Sequence, residues 1–386
     1  MRHYLDWAAT AVPDAAGTDD ISFASEKIIY GNPSSPHAEG RAAKESLEDA
    51  RLRCARVLGV DAGQLYFTSG GTESNALVLH SLMLKRTPAR LLWSGIEHPS
   101  VRENCLCLKK LGLATGVIAV GKSGHVTENT LAKALTQYSD TRFAAVMGVN
   151  NETGSLMAIK ALVSIVRAME QKKGPRIHFH SDLVQALGKV PLDIPDWDID
   201  SASFSAHKLG GPRGIGLLYL KKPLETLYSG GEQERKVRPG TENVEGAVAL
   251  ANLLERRCGP QTVKDEMEKA QLRLNYFLQE LKKINRCALI PEDRTEDDER
   301  FSPWILQMRL KGLPAMVAVR ALDDMGIAVS TGSACSSSLP ERPVLAAMAL
   351  DKPAMLEGLR ISQGWSTETG DFDALLSGIE KALSSL

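Results

Sequence analysis

No stretch of this sequence stays apolar long enough to cross a bilayer, so a membrane span is excluded. Neither sign of charge dominates: 46 Lys and Arg stand against 47 Asp and Glu, a net charge of −1. That balance gives no electrostatic case for nucleic acid or an anionic membrane as partner. The opening "MRHYLDWAATAVPD" carries charge at once and lacks the apolar core of a secretory leader, so a cytoplasmic protein is expected. The six cysteines, at 54, 105, 107, 258, 287 and 335, include no C-x-x-C pair. Neither a disulfide scaffold nor a structural zinc site is therefore expected, and no metal. Internal repeats and low-complexity segments are missing, as are the nucleotide signatures G-K-[ST] and G-x-G-x-x-G. What remains is an ordinary soluble composition, 43% hydrophobic and 24% charged. At 386 residues the chain is long enough for one large domain and a smaller one.

Strand and helix patterns alternate through the first two-thirds. Ser35-Pro36 opens a helix with Pro at its first position. Ala43, Leu47, Ala50, Cys54 and Val57 follow at helical spacing, and Gly59 closes it. "LYFTS" (65–69) reads as a strand before Gly70-Gly71 and a helix from Thr72. "LLWS", "GVIAV", "FAAVMGV" (143–149), "RIHFH" (176–180), "SASFS" (201–205) and "GIGLLYL" (214–220) read as further strands, with a helix at 159–169. The alternation predicts an α/β fold, a mostly parallel wound sheet with helices on both faces. Beyond residue 244 come helices at 244–257 and 262–286, and a charge run "EDRTEDDER" (292–300) read as an exposed loop. A second α+β unit follows, with "PWILQMRL", a Pro314-started helix, the loop around Cys335, "LEGLRIS" and a terminal helix.

Several constellations can carry chemistry. "TSGGTES" joins a strand to a helix start, an anion seat in which Gly71 offers backbone N–H and Thr72 a hydroxyl; an ordinary turn is the competing reading. Asp182, beyond a strand end with Gln185 three residues on, can hold a protonated ring nitrogen while Gln185 bonds a ring substituent; a capping Asp is the alternative. In "SFSAHKLGGPRGIG", Lys208 stands beside glycines built for close backbone approach. A lysine that forms a Schiff base needs a lowered pKa, which burial and nearby cations promote; a surface lysine is the competing reading. Ser205 and His207 are donors suited to a phosphate. His98, after another strand, can stack on an aromatic cofactor and move protons, or be structural. Asn150 and Asn151 are turn formers or ligand-binding amides. Cys335 lies in "STGSACSSS", the composition of a mobile loop, where reactive thiols occur; Cys54 and Cys105 lie on apolar helical stripes as packing residues. Arg360 can clamp a carboxylate with its bidentate fork, or serve in a structural salt bridge.

Taken in order, "YLDWAAT", "GNPSSPHAEGR", "TSGGTESN", "EHPSV", "NNETG", "SDLVQALGK", "SAHKLGGPRGIG", "GGEQERKVRPGTENV", "GSACSSS" and "LRISQG" resemble the NifS/IscS-like cysteine desulfurases. These belong to the class V branch of pyridoxal-phosphate enzymes with the aspartate-aminotransferase-like fold. The resemblance spans most of the chain. It implies a large cofactor-binding domain at 12–257, and a smaller α+β domain formed by 1–11 and 258–386 that carries the cysteine loop. It implies pyridoxal 5'-phosphate held by Lys208, with Asp182 on the ring nitrogen, Gln185 on the ring oxygen and His98 stacked on the ring. Gly71, Thr72, Ser205 and His207 would hold the phosphate, joined by Thr241 from the second subunit of a homodimer. Asn151 and Arg360, with Asn32, would position L-cysteine, and Cys335 would accept its sulfur as a persulfide for a sulfur-acceptor protein such as an iron–sulfur scaffold. Selenocysteine lyase and cysteine-sulfinate lyase activities share this machinery, and a non-catalytic scaffold in a sulfur-transfer complex is the reading from another class. Two positions depart from the pattern. Trp7 stands where the family often has an amide at the pocket edge, and Trp365 where it often has a second arginine, both bearing on substrate fit and partner contacts.

Overall fold

The structure is a computed structural model that describes residues 2–14, 30–85, 89–173, 176–332 and 342–384. Cys335 and its loop neighbours lie outside the described residues. Strand β1 is His3–Tyr4, β2 Leu65–Thr68, β3 Arg90–Ser94, β4 Ala114–Ile118, β5 Thr141–Ala145, β6 His178–Asp182, β7 Ser201–Ser205 and β8 Gly216–Leu220. Strands β2 to β8 form one seven-stranded sheet in the order β2-β8-β7-β6-β5-β3-β4. Every neighbouring pair is parallel except the two that involve β8, so β8 alone runs against the rest.

The period-2 alternation of the strands explains why helices cover both faces. Leu65 and Phe67, Leu92, Ala144, and Leu217 and Tyr219 point to one face. The helices Ala38–Leu58, Ile159–Lys173 and Val244–Arg257 bury Leu47, Ala50, Val163, Val166, Leu250 and Leu253 against them. The intervening Tyr66, Leu91 and Trp93, Phe143, and Leu218 and Leu220 point to the opposite face. There the helices Gly71–His80 and Pro99–Lys110 supply Leu77, Leu79, Val101, Cys105 and Leu108.

A second core gathers around a three-stranded antiparallel sheet of β9 (Cys287–Ile290), β10 (Ile305–Leu310) and β12 (Gly358–Ser362). Phe277, Leu306, Met308, Leu359, Phe372 and Ile379 fill it. The chain start joins this unit: β1 pairs in parallel with β11 (Ile327–Ala328), and Leu5 lies in the same core.

Several details differ from the sequence-based expectations: the strand expected at 143–149 runs Thr141–Ala145, and the helix expected at 262–286 runs Pro260–Leu281. The first long helix begins at Ala38 rather than at Ser35-Pro36, because the His37 side chain accepts from the Gly40 N–H and supplies the cap. Gly59 does close it, with a left-handed φ of 69°. The strand expected at 176–180 runs two residues later and contains Asp182 as its last residue. The charge run 292–300 is not wholly exposed: Arg294 is buried and donates to the carbonyls of Thr153, Ser302 and Ile305 at 2.9–3.0 Å. Three good acceptors make burial of that guanidinium tolerable, and burial lowers its pKa to about 9. Among the described residues no helix is long and apolar enough to cross a membrane.

Candidate active site

Strands β2, β3, β5, β6 and β7 point the same way, so their carboxyl ends open on one edge of the sheet, where wound folds bind ligands. Helix Gly71–His80 starts directly after β2. Gly70 has φ 143° and supplies no side-chain cap, which leaves the first N–H groups of a ten-residue helix without an intrahelical acceptor. Two close approaches explain the glycines. A Cβ on Gly71 would lie 2.5 Å from Val184, and one on Gly216 would lie 2.6 Å from the Gly70 Cα. The same packing sets the Ser205 hydroxyl 3.3 Å from where a Gly70 Cβ would stand. The glycine-rich stretch after Lys208 therefore permits the backbone contact expected of it.

Lys208 ends a short 3-10 turn that follows β7. Its Nζ donates to the carbonyls of Ala8 and Ala9, both at 2.6 Å. Burial lowers its pKa to about 8, and Arg360 adds to that effect. This is the environment that makes a lysine amine available as a nucleophile near neutral pH. The neighbouring His207 is lowered to about 4 by burial and by Lys208, and its Nδ1 lies 3.2 Å from the Thr10 hydroxyl.

Asp182 is buried, and its carboxylate accepts from the Val184 N–H at 3.0 Å and from Asn75 Nδ2 at 2.8 Å. Asn75 also donates to the Ser100 hydroxyl at 2.8 Å, and Ser100 lies 2.8 Å from His98 Nδ1. His98 also caps the helix Pro99–Lys110, since the Ser100 N–H reaches Nδ1 at 3.1 Å. The structural reading of this histidine, a helix cap, is therefore met. Burial lowers the His98 pKa; Asp182 opposes that effect and Lys208 reinforces it. Gln185 is buried, donating from Nε2 to the Ala8 carbonyl at 2.8 Å and accepting from Lys189 at 3.3 Å.

Arg360, from the middle of β12, pairs with Asp6 at 2.7 Å and donates to the carbonyls of Asn151 and Gly332. Its Nε and the Asn151 Oδ1 are buried without a partner, so both retain unused polar capacity. Asn150, by contrast, spends its side chain on the turn, accepting from Glu152 and Thr153 and donating to Ile96. Thr72, Thr241 and Asn32 are exposed. Asn32 accepts from the Ser34 N–H in a local turn, and the segment bearing Thr241 is tied to the first turn of helix Gly71–His80 by the Arg238–Glu73 ion pair at 3.2 Å. Neither Thr241 nor Asn32 bonds to the residues around Lys208.

The segment Asp6–Thr10 is the part of the site that the side-chain patterns did not reveal. It offers Asp6 to Arg360, the Ala8 carbonyl to both Lys208 and Gln185, and Thr10 to His207. The two departures in sequence meet here. Trp7 is buried, donates to the Tyr4 carbonyl at 3.0 Å, and packs edge-on to Trp365 with ring centroids 6.0 Å apart. Arg257 lies 4.3 Å over the Trp365 ring. Among the described cysteines, Cys54, Cys105 and Cys258 have thiols raised by burial, Cys54 and Cys258 to about 12, which removes them as nucleophiles.

A flat, phosphorylated, cationic ring fits these residues. The uncapped helix start and Ser205 suit its phosphate, the Asp182 carboxylate its ring N–H, and the Lys208 amine its aldehyde.

Known proteins are similar to this chain over nearly its whole length. Residues 3–375 match the family Aminotransferase class-V. A cysteine desulfurase IscS of Dictyoglomus turgidum is 32% identical over 389 residues, covering 99% of this chain and 95% of that protein. A putative cysteine desulfurase IscS 1 of Bacillus subtilis is 34% identical, covering 94% and 93%. A solved NifS-like protein superposes with a TM-score of 0.88 at 30% identity, over the whole of both chains. The chain belongs to the class-V aminotransferase family, among the IscS/NifS cysteine desulfurases.

Proposed function

We propose that this protein is a pyridoxal-phosphate-dependent cysteine desulfurase. It converts L-cysteine and an enzyme thiol to L-alanine and an enzyme persulfide. The observation that carries the reading is Lys208: a buried amine lowered to about 8, on the same sheet edge as Asp182 and His98. Bound pyridoxal phosphate supplies an aldehyde and an electron-accepting ring.

The chain's own residues supply the rest. Lys208, lowered to about 8, would hold the cofactor through its Nζ, which is far more readily deprotonated than that of an ordinary lysine. Asp182 would hold the cofactor's ring nitrogen in its protonated form, and Gln185 would bond the ring oxygen. His98 would stack on the cofactor ring and could hold or pass a proton at its Nε2, since Ser100 occupies Nδ1. Gly71, Thr72, Ser205 and His207 hold the phosphate, and Thr241 does so from a second subunit in a homodimer. Arg360, Asn151 and Asn32 position the substrate amino acid; the unpartnered Arg360 Nε, a donor, supports the assignment of Arg360 to its carboxylate, and the unpartnered Asn151 Oδ1 is an acceptor that suits its amino group. Cys335 takes the sulfur and passes it to an acceptor such as an iron–sulfur scaffold in the cytoplasm. The same proposal assigns 12–257 to the cofactor domain and 1–11 with 258–386 to the smaller one, supported by the separate core around β9, β10 and β12.

The test is alanine release from L-cysteine by the reconstituted protein, with selenocysteine and cysteine sulfinate run in parallel. Wild type makes alanine, Lys208→Ala loses both the bound-cofactor absorbance and the product, and Cys335→Ser keeps the absorbance but loses alanine. A colourless wild type at saturating cofactor would overturn the reading in favour of a scaffold. Unchanged turnover in Cys335→Ser would overturn the persulfide step.

A further inference from the structure

Three histidines, two serines, one asparagine and one aspartate form a continuous chain behind the site, buried at its centre and half-buried at its two ends: His98, Ser100, Asn75 with Asp182, His180, Ser201 and His178. We infer that Asn75 is the positioning residue that sets the proton on every member of this chain, and that it thereby fixes His98 as a neutral imidazole with its proton on Nε2. The argument starts from Asp182, because a carboxylate accepts and does not donate. Its Oδ2 lies 2.8 Å from Asn75, so the amide must turn its NH2 group that way. The Asn75 oxygen then faces His180 Nε2 at 2.9 Å and has to receive a proton from it. His180 Nδ1 is consequently bare and takes the Ser201 hydroxyl proton across 2.8 Å. Ser201, having given its only proton, accepts from His178 Nε2 at 2.7 Å.

The same logic runs toward the site. The second Asn75 N–H donates to Ser100 Oγ at 2.8 Å, which frees the Ser100 proton for His98 Nδ1. The Ser100 backbone N–H converges on that nitrogen as well, at 3.1 Å. Nδ1 receives two donors and cannot carry a proton, so the neutral ring carries it on Nε2. Apart from His98 Nε2–H, which is left for the site, each donor named here meets an acceptor, and no member has to be charged except Asp182. His178 and His180 accord with this, since burial lowers them to about 4 and about 3.

Asn75 touches neither substrate nor reacting atoms in this scheme. It acts through Asp182, to whose Oδ2 it donates, and through His98, by way of Ser100. The effect on cofactor binding rests on the function proposed above; the proton order does not. The test therefore has two readouts. Imidazole nitrogen NMR of the full-length apoprotein, labelled at histidine, reports each tautomer without cofactor. It is expected to show His98, His180 and His178 neutral with the proton on Nε2. Asn75→Ala is expected to move the His98 and His180 signals together and to weaken pyridoxal phosphate binding at least about tenfold, the loss expected for a hydrogen bond to a charged group. Ser100→Ala should move His98 but not His180, and Ser100→Thr, which keeps the hydroxyl, should behave as wild type. A proton on Nδ1 of His98 in the apoprotein overturns the assignment. So does Ser100→Ala that leaves His98 unmoved, the variant that decides if Asn75→Ala does not fold. Failure of wild type to bind the cofactor would instead count against the proposed function, with the tautomers still read.

Discussion

At the scale of single residues, the site depends on two opposite uses of burial. Burial makes Lys208 a better nucleophile by disfavouring its ammonium form, and it makes Cys54 and Cys258 poorer ones by disfavouring their thiolates. The direction for Lys208 gives a testable pH dependence. The amine is charged below about pH 8 and free above it, so the rate of covalent cofactor attachment to apoprotein should rise with pH around a midpoint near 8. A midpoint near the ordinary lysine value, above 10, would contradict the geometry. Lys208, Asp182, Gln185 and His98 were legible as candidates because each follows a strand-like run in the sequence. Asn75 and the Ala8 carbonyl were not legible. Their partners lie 107 and 200 positions away, as Asp182 and Lys208, and no local pattern marks an asparagine that bridges such a gap.

At the scale of elements, the turn that carries residues 234–236 is the most constrained. Glu234, Arg235 and Lys236 have φ of 45°, 53° and 67°, three consecutive non-glycine residues in the left-handed region. Each costs on the order of 1–2 kcal/mol. What holds them is the buried pair of Glu234 with Arg51, 2.7 Å at both nitrogens, while Glu234 also accepts from the Phe67 N–H at 2.8 Å. Burial alone would lower the Arg51 pKa, but the bonds and charge of Glu234 raise it. Glu234→Ala leaves a buried guanidinium without its main partner, and should cost about 3–5 kcal/mol by chemical denaturation. A loss below about 1 kcal/mol would show that the turn is held by something else. The run "GGEQERK" gave no sign of this turn, because left-handed backbone is a glycine signature and the glycines there stand at 230 and 231. The boundary of the first helix was missed for a related reason: proline favours a helix start, but the His37 side-chain cap decided where it came.

Trp7 and Trp365 belong to the same scale, since they join the chain start to the segment after β12. Read one at a time, each was a departure bearing on the pocket; in space they are partners. A double-mutant cycle of Trp7→Ala and Trp365→Ala should give a coupling of about 0.5–1.5 kcal/mol. Strict additivity would mean that the two substitutions are unrelated.

At the scale of the whole molecule, the fold class was legible because alternating strands and helices leave few ways to build a sheet buried on both faces. The reversed strand β8 was not, since a buried strand reads the same in either direction. The site is assembled from both ends of the chain: β7 and its turn bring Lys208, the N-terminal segment brings its carbonyl acceptors, and β12 brings Arg360. Ligand binding to such a site should stabilise the fold as a unit. Pyridoxal phosphate at about 100 times its Kd should add about 2.7 kcal/mol to the apoprotein, read as a rise in Tm that Lys208→Ala diminishes. The central claim is that sulfur leaves L-cysteine for an enzyme thiol, and mass mapping of the reconstituted protein after brief exposure to L-cysteine tests it most directly. The account predicts one added sulfur atom on Cys335, matched by alanine in solution. Alanine produced at full rate with the extra sulfur on Cys107, or on no cysteine, would contradict it.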